Sequence, residues 1–122
     1  MATNGRVIVG CTHGEEDADR VTVAYLTAGA ALDQGKDVVM WLTVEGVRLA
    51  TPGYADAIAL PGAPPVERLH AQFIEKGGRF FVCPICAEPR GVTEGALVDG
   101  AELKGATPLM EFAAGGAMTF NY

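Results

Sequence analysis

The sequence predicts an α/β fold, with a mostly parallel five-stranded sheet covered by helices on both faces. Three observations carry this expectation. Short runs rich in β-branched and aromatic residues recur five times, segments of helical periodicity lie between them, and glycine or proline marks most of the joins.

The first run, Arg6-Val7-Ile8-Val9-Gly10, is apolar, short and ended by glycine, as a buried strand should be. Glu15, Glu16 and Asp17 then crowd what reads as the first turn of a helix, where negative charge complements the dipole, and Gly35 supplies its stop. Between them Val21, Tyr25, Ala28 and Leu32 recur at helical spacing, with Val23, Leu26 and Ala30 widening the stripe. Lys36 to Leu42 is a second buried strand, so residues 6–42 form a β-α-β unit whose strands should be parallel and whose crossover should be right-handed.

From Thr43 to Pro65 the text turns to glycine and proline, with one helical turn expected near Val47 to Thr51. A connection this long suggests a functional segment or an assembly surface, with Trp41 and Tyr54 nearby. Val66, Leu69 and Phe73 mark one face of a second helix stopped by Gly77-Gly78, and Arg79-Phe80-Phe81-Val82 is a third strand delivering Cys83 to its end. Pro84 suits the first position of a helical turn. A fourth strand is expected near Ala101 to Lys104, a last helix capped and begun by Thr107-Pro108, and a fifth strand over Ala117 to Asn121. The alternation argues for a flavodoxin-like, three-layer arrangement of a single domain over residues 1–122. In a sheet of order 2-1-3-4-5, strands one and three would be neighbours. Cys11, His13, Cys83 and Cys86 would then share one crevice beyond the C-terminal strand ends.

Composition bounds the function. Nine Lys and Arg against fifteen Asp and Glu give a net charge of −6, with no basic cluster to follow a phosphate backbone, so nucleic acid is not an expected partner. The apolar runs fall short of the ~18 residues that cross a bilayer, and Met1 to Arg6 lack a signal-peptide core; a cytoplasmic protein away from membranes is expected. Three cysteines, Cys11, Cys83 and Cys86, argue against a disulfide framework in a chain of 122 residues that can bury a core of its own.

Cys83 has the best position for a nucleophile, because a strand end that opens a helix offers N–H groups and a dipole that favour the thiolate. Cys86, three residues on, could attack a modified Cys83. The plain alternative is two small buried residues at a strand-helix junction. Cys11, His13, Cys83 and Cys86 also compose a Cys3His set that tetrahedral zinc accepts, although Cys11-x-His13 is too short a spacing for a common knuckle. Arg90 and Arg20 could place positive charge near a thiolate or an anionic substrate, or could be solvated surface residues. Gly10-Cys11-Thr12-His13-Gly14 lacks the spacing of a dinucleotide or Walker loop, and His70 reads as surface or packing.

The order of the pieces, Thr12-His13-Gly14, an alanine-rich helix, Trp41 to Val47, and Cys83-x-x-Cys86 with Arg90-Gly91 and the later Leu97 to Glu102, resembles the DsrE/DsrF-like family of small sulfur-relay proteins over nearly the whole chain. The resemblance implies a flavodoxin-like fold, assembly into homotrimers, hexamers or mixed complexes, and a persulfide-carrying cysteine, which Cys83 matches. Cys86 matches a second cysteine that some members have. The expected function is a sulfur carrier or sulfurtransferase that holds persulfide on Cys83, with Cys86 as resolving thiol, Cys11, His13 and Arg90 lining the substrate pocket, and sulfur donor and acceptor proteins as partners. No cofactor and no resident metal are expected. The alternatives are a non-catalytic oligomeric binding module and a Cys/His metal-site protein.

Overall fold

The structure, a computed structural model, describes residues 5–122. The reading of the extreme N-terminus therefore lies outside the described residues. Five strands, β1 (Arg6–Cys11), β2 (Asp37–Leu42), β3 (Arg79–Val82), β4 (Ala101–Leu103) and β5 (Met118–Asn121), form one all-parallel sheet. Four helices connect them: α1 (Ala18–Asp33), α2 (Val66–Glu75), the single turn α3 (Pro84–Ala87) and α4 (Ala106–Ala113). The architecture is α/β and flavodoxin-like in its layers, with α1 and α2 over one face and α4 over the other.

The strand order is β4-β3-β2-β1-β5, not the expected 2-1-3-4-5. The cause is a contact between helices distant in sequence. Tyr25 of α1 packs edge-on against Phe73 of α2, shares a hydrogen bond between its buried hydroxyl and His70 Nδ1 at 2.6 Å, and meets Phe80 beneath. Side-by-side helices on one face carry β1, β2 and β3 outward in a single direction, so β2 lies between β1 and β3. Only the α4 crossover returns, over the opposite face, to place β5 on the free edge of β1.

Several elements begin or face differently from the sequence expectation. Helix α1 starts at Ala18, because Asp17 is its cap and accepts the Arg20 N–H at 3.0 Å; Glu15 and Glu16 precede it. Its buried stripe is Val21, Thr22, Ala24, Tyr25 and Ala28, while Val23 and Leu26 are 40% and 43% exposed on the outer side. Helix α4 starts at Ala106 after Gly105, so Thr107 is not the cap and Pro108 falls at the third position, where its missing N–H costs no helical bond. The expected turn after β2 is longer than read: a 3-10 segment over Val44–Ala50 and another over Tyr54–Ala57. Val47, Leu49, Ala50 and Ile58 are buried in the main core, so part of this connection folds into the chain. Trp41 is half-buried on the α4 face beside Val39 and Phe81. Among the described residues no helix is long and apolar enough to cross a membrane.

Candidate functional site

Three loops leave the C-terminal ends of β1, β2 and β3 side by side. The backbone ties them in sequence: Thr43 N–H donates to the Cys11 carbonyl at 3.2 Å, and Cys83 N–H donates to the Leu42 carbonyl at 3.0 Å. Cys11 and Cys83 thus end strands separated by one strand, about 10 Å apart by ordinary strand spacing.

The β1 loop is folded tightly back. Gly14 is buried beneath Tyr54, whose hydroxyl accepts the Glu15 N–H at 2.8 Å, and a Cβ on Gly14 would overlap that hydroxyl. Gly46 lies against the Cys11 carbonyl with the same consequence. Cys11 itself is fully buried, and its thiol donates to the His13 carbonyl at 3.4 Å. Burial pushes that thiol up to about 11, with the nearby charges of Glu16 and Asp17 acting in the same direction. Cys11 is a protonated core residue and lines no open pocket, contrary to the substrate-binding expectation. The side chain of His13 is partly exposed, and its Nδ1 lies 2.8 Å from Glu16 Oε2. Glu16 Oε1 accepts the Gly14 N–H at 2.6 Å, and these bonds hold the Glu16 carboxyl below its ordinary range despite partial desolvation. Reading Glu15-Glu16-Asp17 as helix charge missed this pairing.

The β2 loop opens with Val44, a β-branched residue in the left-handed region at φ +54° and 45% exposed. Glu45 follows and draws two guanidinium groups, Arg48 Nε at 2.8 Å and Arg90 Nε at 2.7 Å, which hold its carboxyl below the usual range. Arg90 also donates through Nη1 to the Cys86 carbonyl at 3.1 Å. Arg90 therefore fastens the cysteine-bearing turn to the β2 loop, and it shares the single Glu45 carboxylate with Arg48. Arg20 is paired with Asp17 at the start of α1. Glu45 and Tyr54 organise the rim, and neither was singled out for chemistry from the sequence. The signal for Glu45 lay in its place directly after the second strand, within Trp41 to Val47.

The β3 loop carries the thiols. Cys83 caps α3, Pro84 takes its first position as expected, and the Cys83 carbonyl accepts the Ala87 N–H at 2.9 Å. The helix is only four residues long, and the Cys83 side chain makes no capping hydrogen bond. Cys83 and Cys86 are both half-buried free thiols packed against the edge of the core, and Ile85 between them is 83% exposed. Cys86 and Cys83 are thus both partly covered. Among the described residues no three His, Cys, Asp or Glu side chains converge as a metal site requires. The set Cys11, His13, Cys83 and Cys86 is not assembled, because the Cys11 sulfur is in the core and β2 separates the two loops.

The rim is thus made of strand-end loops around a half-buried thiol on a Pro-led turn, and the order of these parts runs from the first strand to the last. Residues 5–122 match the DsrE/DsrF-like family. The chain belongs to that family. Its DsrE-like fold recurs in the ychN protein from E. coli (TM-score 0.75, 18% identity, 96% of this chain and 97% of that one). It recurs too in protein MTH1491 from Methanobacterium thermoautotrophicum, of unknown function (TM-score 0.66, 15% identity, 96% and 98%). At those identities the likeness concerns the fold. The uncharacterized protein MJ0760 of Methanocaldococcus jannaschii is 29% identical over 101 residues, covering 83% of this chain and 37% of that protein. The DsrE-like chain therefore spans about a third to two-fifths of the relative's length.

Proposed function

We propose that this protein is a sulfur carrier in which Cys83 accepts a sulfane sulfur from a donor, holds it as a persulfide and passes it to an acceptor. The single observation that carries the reading is the free, half-buried Cys83 at the open end of β3, on a turn begun by proline and followed by an exposed Ile85. Membership of the DsrE/DsrF-like family supports it. Loading exchanges one bond for another: the Cys83 thiolate attacks the outer sulfur of a donor persulfide, the donor's S–S bond breaks, and the donor leaves as a thiolate. Cys86 is the resolving thiol. Its attack on the inner sulfur of the Cys83 persulfide releases hydrosulfide and leaves a Cys83–Cys86 disulfide. His13 and Arg90 belong to the same rim, Arg90 by positioning the Cys86 carbonyl. The expected result for Cys83→Ser is a folded protein that gains no sulfur on its Cys83-containing peptide by mass and transfers none; unchanged transfer ends the assignment.

We also infer a homo-oligomer, a trimer or hexamer, built on the outer side of α1 and the free edge of β5. Leu26, Met118 and Phe120 are exposed there along a groove of about 400 Å³, Val23 is exposed elsewhere on α1, and β5 carries no charge to guard its edge. The same apolar face favours the second reading, a non-catalytic oligomeric binding module. Light scattering checks the assembly, with a monomer at micromolar concentration the contrary result. Thiol titration separates the readings: a Cys83 that reacts only as a free model thiol supports the module.

A further inference from the structure

We propose that His13, held by Glu16, is a general base that removes the proton from the thiol receiving sulfur from Cys83; this rests on the sulfur-carrier reading. The hydrogen bonds fix the role of each nitrogen. A carboxylate only accepts, so the 2.8 Å contact to Glu16 Oε2 makes Nδ1 the protonated nitrogen, and Nε2 of the neutral ring keeps its lone pair. Nε2 has no partner among the described residues, and the side chain is 31% exposed.

The pair is braced by its own loop. The other oxygen of Glu16 takes the Gly14 N–H, Tyr54 anchors Glu15, and the His13 carbonyl receives the Cys11 thiol. An imidazole oriented by a carboxylate that is itself hydrogen-bonded is the arrangement a proton-transfer group needs. The second histidine is its opposite: the His70 ring is stacked on Phe80, its Nδ1 is engaged by Tyr25, and burial holds its basicity down.

Location chooses the proton. Because β2 intervenes, the ends of β1 and β3 are about 10 Å apart, so His13 is assigned to the incoming thiol and not to Cys83. In the step, Nε2 accepts the proton of R–SH as the thiolate sulfur attacks the outer sulfur of Cys83–S–SH. The new R–S–SH bond forms, the bond to the Cys83 sulfur breaks, and the electron pair leaves on Cys83, which regains a proton from the imidazolium through solvent. Sulfane sulfur moves and nothing is oxidised or reduced overall.

The test uses the full chain loaded with inorganic polysulfide and followed by mass, with two acceptors. Glutathione must lose a proton to attack; sulfite at pH 8 has none to lose. In His13→Gln the glutathione rate at pH 7 should fall on the order of a hundredfold, and the sulfite rate by far less. The glutathione rate of the variant should climb more steeply with pH than that of the wild type, as expected when the acceptor thiol must ionise unaided. Glu16→Gln, acting through His13, should slow glutathione and displace the pH profile, which a mere staple of the turn would leave in place. Equal glutathione rates in wild type and His13→Gln, or equal losses with both acceptors, overturn the proposal. Failure of Cys83 to load at all overturns the sulfur-carrier reading and this inference with it.

Discussion

The ends of β1 and β3 each deliver a cysteine to the same edge of the sheet, and the two thiols have opposite surroundings. After Cys11 the chain is folded back under Tyr54 and against Gly46, so the sulfur is sealed in the core and its proton is held. After Cys83 a proline starts a one-turn helix that leads the chain outward to an exposed Ile85, and the thiol stays at the rim. Strand position alone does not make a cysteine available for chemistry. The first few residues after the strand decide it.

The largest blow to this contrast should come from Gly46→Ala. Its Cβ would overlap the Cys11 carbonyl, a backbone atom that can move only with the end of β1, so a loss of about 3 kcal/mol in urea unfolding is expected. A wild-type-like midpoint would mean that the β1 end is looser than described.

A smaller effect should appear in alkali. The Cys11 thiol ionises near 9.0 when unfolded and is pushed up to about 11 when folded, so its contribution is complete below pH 9 and is lost as pH rises toward 11. The loss should be on the order of 2 kcal/mol. It should vanish in Cys11→Ala and persist in Cys83→Ala; equal slopes in the two variants would erase the difference between the strand ends.

Brief treatment with limiting iodoacetamide sharpens the comparison further. Cys11 should stay unlabelled until the chain unfolds, while the rim thiols Cys83 and Cys86 should be labelled in the folded protein. Labelling of Cys11 in the folded chain would erase the difference between the strand ends. The smallest effect is expected at Ile85→Ser, which should change stability by less than about 0.5 kcal/mol because the side chain is 83% exposed. A large loss there would show that the β3 turn is as tightly packed as the β1 loop.

The elements were legible where local chemistry decides them. The β3 run ends where its apolar residues end, Pro84 opens α3, and Gly35 stands just beyond the close of α1. What pairs distant residues was not legible. Sheet order depends on Tyr25 meeting His70 and Phe73 some 45 residues away, and hydrophobic periodicity cannot express that contact. Three consecutive acids looked equivalent, yet Asp17 caps a helix, Glu16 orients a histidine, and Glu15 donates its backbone N–H to Tyr54. Arg90 looked free for an anion because its partner, Glu45, lies across the site on another loop. The cysteine pair was visible as a motif, but the separation of Cys11 from it follows from β2 lying between β1 and β3.

Val44 sets a limit on how far natural selection for stability has gone at this edge. A β-branched residue at φ +54° costs about 1–2 kcal/mol relative to the right-handed region, and glycine adopts that angle freely. Val44→Gly loosens the unfolded chain by about 0.5–1 kcal/mol, so the net expectation is a protein as stable as the wild type or slightly more so. Because the valine side chain is 45% exposed, its apolar contacts recover little of the cost. A thermal melt that rises in Val44→Gly while sulfur transfer drops would mark this residue as one kept for what it does at the surface, at the expense of the fold that holds it.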